Sequence, residues 1–516
     1  MPKHKRSSLK SALIFLVALA VLTAGAYLAW PYVTGGRPGG GPGLRGETSV
    51  RIGLRQAPAS LDIRNEAGQE VEQALLGNVY ETVTTPGDKG LPEPGLASKW
   101  DLSADRLTYT FHLRRGARFS DGSDLQSQDV LWSLEQTVKK KTPGYHGLDH
   151  LSQVTNPDPY TLVIHLSTPD AHLTRALYGR AGIVYNSRAG IDYSSSSAGS
   201  GPYTVGSWQS GRSLTLIRNK HYQGPHPAKS DQVAFSYGNS IGDQVRAVKE
   251  GRLDAAVDLT PTQADSARKT AAAGTGQALR VTTGSSRKNL VLIINNTPTS
   301  PFADQRCREV VRYAVDRTAL ADLQSGTAKP LNGPVNGLSP AYDPSFNPFP
   351  HDPAKAASLN TYFTNRYYRG GVRLVYHESF GAQVGERIAS DLGRVNIPVK
   401  TEMVDGTTYR DRMADGQAYE LTLAMMDNED NAVFADPASL ARFDKPEVQQ
   451  SYRALLDAAD EDGYAAGLSR YDKDLSAQSP CDWIYARTPV ILAAQGLEGL
   501  PGSAVDTYLP VWGVTA

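Results

Sequence analysis

Cysteine is nearly absent: Cys307 and Cys481 are the two present in 516 residues. Two thiols cannot staple a disulfide-rich scaffold, and without a third ligand or a CxxC spacing they exclude a structural zinc or iron–sulfur site. An excess of charge of either sign is also lacking, since 53 basic residues balance 53 acidic ones. That balance removes the basic footprint a nucleic-acid partner requires. There is no HExxH helix and no GKS/T phosphate loop, and His377-Glu378-Ser379 lacks the second histidine a zincin needs. What remains is a globular composition, 40% hydrophobic and 21% charged with 25 Tyr, long enough for about three domain-sized units.

Lys3, Lys5, Arg6 and Lys10 precede an uncharged stretch at 12–33. At about 1.5 Å per residue it spans a hydrocarbon core of about 30 Å. The cationic flank places residues 1–11 in the cytoplasm and the body outside. Two readings stand side by side: a transmembrane anchor, or a signal segment cut after Ala26. No cysteine precedes position 307, so lipid attachment at a cysteine is excluded. The Gly/Pro-rich run at 34–47 has no periodicity and reads as a linker.

From Thr48 onward strand-like and helix-like segments alternate without a repeat, which points to a mixed α/β body. SVRIGL at 49–54, TYTFHL at 108–113 and TLVIHL at 161–166 alternate with period two and predict half-exposed strands at sheet edges, with a turn signal at Asn156-Pro157-Asp158-Pro159. Ser127 is the predicted cap of a helix carrying Val130, Leu134 and Val138. Cys307, Val310, Val311, Ala314 and Val315 define one apolar face of a helix over 305–320, with Arg308 and Arg312 off it. LVLII at 290–294 predicts a strand covered on both sides, of the kind found in parallel cores. Val384, Ile388 and Leu392, then Ile397, Val399, Thr401 and Met403, give a βαβ rhythm.

Six motifs in order resemble one family, the extracellular solute-binding proteins of the peptide/nickel class (family 5) that feed ABC transporters. They are Leu61-Asp62 with Tyr80-Glu81; the block from Leu96 through Phe111 to Gly122; Gly201-Pro202-Tyr203 with Asn219; Gly251-Arg252-Leu253-Asp254; Asn295-Asn296-Thr297; and Ala314-Val315-Asp316-Arg317. The resemblance implies an α/β bilobed type II periplasmic-binding-protein-like fold. Its first lobe would comprise 48–82, 199–283 and 490–516, its inserted subdomain 83–198 and its second lobe 284–489. It also implies a non-enzymatic, cofactor-free monomer that captures a small solute by hinge closure, foremost an oligopeptide, and hands it to permease subunits at the outer face of the membrane. Nickel chelate, opine or oligosaccharide are the alternative solutes, and an anchored interaction or sensing module is the alternative of another class.

A peptide amine requires a desolvated carboxylate and aromatic walls. Asp427 and Asp430 are the candidate carboxylates, against a solvated acidic loop. Asp62, after the first strand, is the candidate from the other lobe, against a turn aspartate. Trp208 and Phe434 are candidate walls, against core packing. Arg306 and Arg317 read as ion pairs. No histidine pair has metal-ligand spacing. An extracellular address permits a Cys307–Cys481 disulfide, against a buried inert thiol at Cys307.

Overall fold

A computed structural model describes residues 48–516 apart from 67, 239–240, 275–276, 364–367, 369 and 417. The segments at 1–11, 12–33 and 34–47 lie outside the described residues. Among the described residues no helix is long and apolar enough to cross a membrane.

Two large sheets organise the body. The first has seven strands in the order Leu279–Thr283, Val490–Ala494, Ala255–Ala256, Ser49–Gly53, Gln232–Ser236, Ser213–Arg218, Tyr203–Gln209. Ser49–Gly53 is not an edge strand as its alternation suggested. It runs parallel to a neighbour on each side, and Val50 and Ile52 are fully buried.

The second sheet has six strands in the order Ala328–Pro330, Cys481–Arg487, Lys288–Ile294, Leu421–Asp427, Val372–His377, Val399–Val404. The apolar run at 290–294 is covered on both faces: Leu290, Leu292 and Ile294 join one core, Val291 and Ile293 the other. Both its neighbours are antiparallel, however, so burial and not parallel pairing produced the continuous apolar run. Val372–His377 and Val399–Val404 are parallel across the helix Ala382–Gly393. The predicted helix at 305–320 breaks into Gln305–Ala314 and Arg317–Asp322, because the Asp316 carboxylate accepts from Ala319 N and starts a new helix. Arg308 and Arg312 are 1% exposed. They donate to backbone carbonyls of residues 476, 478 and 479, so the charged side of the first helix is buried too.

A four-stranded antiparallel sheet, in the order Ala97–Leu102, Thr108–Leu113, Thr161–Leu166, Leu151–Asp158, packs on the helix Ser127–Lys140. The two alternating segments bury one face as read, but they are the two central strands. Of the turn signal at 156–159, the first three residues lie in the edge strand, Pro157 at a register shift where a missing N–H costs no ladder bond, and the chain turns at Pro159 and Tyr160. Gln126, not Ser127, precedes that helix, and Asp129 accepts from its backbone N at 3.1 Å.

The chain crosses between the two large sheets at 284–287 and 488–489. Gly284 N donates to Pro489 O at 2.8 Å, and Ser285 N donates to Gly502 O at 3.1 Å. A Cβ on Gly284 would stand 1.9 Å from Gly502 O, so this crossing requires glycine. Arg487 at the end of its strand pairs with Asp258 and Asp506 of the first sheet's surroundings, tying the crossings together.

Candidate functional site

A cleft of about 780 Å³ opens beside these crossings. Glu72, Leu76, Lys89, Tyr178 and the C-terminal segment with Thr507, Tyr508 and Pro510 wall one side; Arg287, Leu338, Asp427, Glu429 and Asp430 wall the other. The strand Leu421–Asp427 ends here and enters a 3₁₀ turn, Asn428–Ala435. Lys288 is the register partner of Asp427, which puts Arg287 against the start of the turn, with Asn428 N donating to Arg287 O at 3.1 Å. Asn428 is buried and its amide bonds Asn289 and Asn336, so the turn is held from below and its acids project upward.

The three acids have different partners. Asp427 caps the turn, accepting from Glu429 N, and takes Arg287 Nε at 3.1 Å. Glu429 takes a second guanidinium nitrogen of Arg287 at 2.6 Å, the Tyr178 hydroxyl at 2.7 Å and His172 Nε2 at 3.4 Å. Burial pushes the Glu429 carboxyl upward, but Arg287, His172 and Tyr178 together hold it well below the usual carboxylate range. Asp430 accepts from Asp427 N at 2.6 Å, and among the described residues no cation pairs with it. Burial raises its affinity for a proton, with the charges of Asp427 and Glu429 adding to it and the Asp427 N–H and the Lys288 ammonium opposing it. Asp430 lines the cleft and is exposed at its surface.

Of the candidates from sequence, only Asp427 and Asp430 meet here. Asp62 is engaged elsewhere: Arg64 donates twice to its carboxylate, at 2.8 and 2.9 Å, and sits 4.1 Å from the Tyr193 ring centre. Trp208 packs against the first sheet's core from an edge strand and does not line the cleft. Phe434 is a correction, since it is fully buried and edge-on to Trp483 at 6.1 Å. The Cys307–Cys481 pairing is a second correction. Both thiols are free and buried, and they belong to cores on opposite faces of the second sheet. Arg317 pairs with Asp482 at 2.6 Å, buried against the second sheet.

Sequence reading missed Arg287, Tyr178 and the C-terminal wall, and passed over Glu429 as a polar neighbour. The one available signal was the basic pair Arg287-Lys288 immediately before an apolar run. Residues 238–242, Gly-Asn-Ser-Ile-Gly, have GxSxG spacing, and 239–240 lie outside the described residues. Among the described residues no group of three or more His, Cys, Asp or Glu side chains is placed to hold a metal ion.

Residues 92–439 match the model of the bacterial extracellular solute-binding proteins, family 5 Middle. The chain belongs to this family. The probable D,D-dipeptide-binding periplasmic protein DdpA of Escherichia coli is 26% identical over 371 residues, covering 68% of each chain. Di/tripeptide-binding protein 1 of Pseudomonas aeruginosa is 26% identical over 297 residues, which is 52% of this chain and 54% of that protein. The fold is that of the murein tripeptide binding protein MppA of Escherichia coli, with a TM-score of 0.71 at 20% identity over 92% of this chain and 99% of that one. It is a mixed α/β, bilobed periplasmic-binding-protein fold.

Proposed function

We propose that this chain is the extracytoplasmic receptor of an ABC importer and that its solute is a short peptide. The observation that carries the reading is Asp430: a carboxylate without an ion pair among the described residues, in a two-sided cleft, beside two acids that Arg287 bridges and that Lys288 and His172 also contact. A peptide's ammonium group supplies the missing cation, and a charge-assisted hydrogen bond of this kind is strong. The dipeptide and di/tripeptide binding of the relatives favours the same solute class. Capture is differential binding without chemistry, since closure is favoured to the extent that the ligand touches both walls.

The lobes of this receptor are 48–82 with 199–283 and 490–516, and 284–489, with 83–198 as the inserted subdomain. Attachment through 12–33 keeps the receptor at the outer face of the membrane as a monomer; cleavage after Ala26 releases it. Intact mass of the exported protein separates those two fates.

The test of function is native mass spectrometry of the gently purified chain, followed by calorimetry with di- and tripeptides. A co-purifying peptide, or saturable heat with peptides and none with their N-acetylated forms, is the expected result. No binding of any peptide, with binding of an amine-free solute, defeats the reading.

A further inference from the structure

Beside the cleft, residues of the 83–198 segment touch residues of the 284–489 segment along a seam of direct protein contacts. Ala171 N donates to Leu456 O at 2.9 Å. Thr174 Oγ1 donates to Glu461 at 3.2 Å, and Arg175 reaches the same carboxylate at 2.9 Å. The Arg175 side chain is 1% exposed and lies 3.7 Å from the Tyr464 ring centre. Arg106 meets Asp457 at 3.2 Å. At the cleft end, His172 and Tyr178 close on Glu429. Separating Arg175 from Glu461 is costly on the arginine's side, because the buried guanidinium would lose its carboxylate in a desolvated place, whereas Glu461 is 36% exposed and can be rehydrated.

We propose that this seam is a latch that holds the two lobes together without ligand, and that protonation of His172 tightens it. The capture reading supplies its purpose: a latch of this kind stabilises part of the closed state in advance, so a small ligand needs fewer contacts to complete it.

The groups that face His172 set the sign. Asp170 precedes it and also receives His150 Nδ1 at 3.2 Å; Arg175 follows it on the same short helix; Glu429 faces it from the 3₁₀ turn. Behind Glu429 stand Arg287, Tyr178, Asp427 and Asp430. Tyr452 and Tyr464 face the same region from the second lobe's helices, and both phenols stay neutral far above physiological pH. Burial disfavours the imidazolium, but Glu429 and Asp170 outweigh it and raise the ring's proton affinity. The folded-state value therefore lies above the ordinary one. The contribution of His172 to the latch is complete below about pH 6.5 and is lost as pH rises through the raised value.

The experiment is electron–electron distance measurement on the ligand-free full chain, spin-labelled at Ser152→Cys in the subdomain and Glu447→Cys in the second lobe. Both positions are exposed, whereas the native thiols are buried. One short separation is expected at about pH 5.5, with a second, longer population growing by about pH 9. His172→Gln is expected to show the longer population at both values, and Glu429→Gln to show more of it. Thermal melts of both variants, unchanged in cooperativity, establish that they fold. A distribution identical across pH and identical in both variants overturns the latch. A pH response that persists in His172→Gln overturns the assignment to His172. Because no ligand enters the measurement, a working latch without peptide binding defeats only the solute reading, and peptide binding without a working latch defeats only this one.

Discussion

The guanidinium of Arg287 lies 2.6 Å from the Glu429 carboxylate and 3.1 Å from that of Asp427. One guanidinium thus bridges two of three adjacent acids, with Lys288 Nζ a further 4.0 Å from Asp427, while Asp430 has no ion pair among the described residues. The acids are not interchangeable, and their variants are expected to differ.

Replacing Arg287 by Met leaves Asp427 and Glu429 close together without their common partner in a mostly buried site, where both are less than a third exposed. A loss of about 2–4 kcal/mol of folding stability is expected. Urea unfolding at neutral pH checks it, and an unchanged midpoint would show that the network is idle.

Asp427→Asn and Asp430→Asn are expected to separate stability from binding. Asp427→Asn keeps a capping side chain but loses the pair with Arg287, costing about 1–2 kcal/mol with a modest effect on affinity. Asp430→Asn retains an acceptor for Asp427 N and is expected to alter the unfolding midpoint little. Its affinity for peptides with a free amine should fall roughly 10- to 100-fold, the range of a lost charge-assisted bond. Calorimetry beside urea unfolding distinguishes the two, and the reverse pattern would move the amine site to Asp427.

Asp472 is 4% exposed; Asn431 donates to one carboxylate oxygen at 3.2 Å and the other oxygen has no hydrogen-bond partner. Burial pushes its carboxyl up to about 8. Between the ordinary aspartate value of about 3.9 and that figure, the folded state holds a proton the unfolded chain has released, so stability falls as pH rises through the window. Asp472→Asn is expected to remove this slope and to be the more stable protein near pH 8, by an amount on the order of a few kcal/mol. Denaturant midpoints from acid to alkaline pH decide it; parallel curves would show that the carboxyl is not protonated in the fold.

Burial raises the Cys307 thiol to about 12 and the Cys481 thiol well above its ordinary value. Neither presents a thiolate at neutral pH. Iodoacetamide is expected to label both only after denaturation, and the unreduced protein to carry two thiol hydrogens. A mass two units lower would reveal a disulfide and contradict the placement of the two cysteines on opposite faces of a sheet.

Much of the fold was legible. Period-two alternation identified the strands at 108–113 and 161–166, and the apolar run at 290–294 announced a strand covered on both faces. Strand position within a sheet was not legible, because alternation reports which face is buried and says nothing about how many neighbours a strand has. The buried arginines 308 and 312 were misread for a related reason. An arginine is placed inside by the carbonyls that receive it, and those come from residues 476 to 479 on another element.

The sequence alone determined the order of family motifs and the mixed α/β character, and it singled out the acids at 427 and 430 that line one cleft, all of which depend on residues near one another along the chain. Tertiary structure decided which acid is already neutralised, that Phe434 belongs to the core, and that Cys307 and Cys481 cannot pair. Arg287 and Asp427 stand 140 positions apart. Pairing across such a distance is set by the register of neighbouring strands, and no local pattern of polar and apolar residues carries that register.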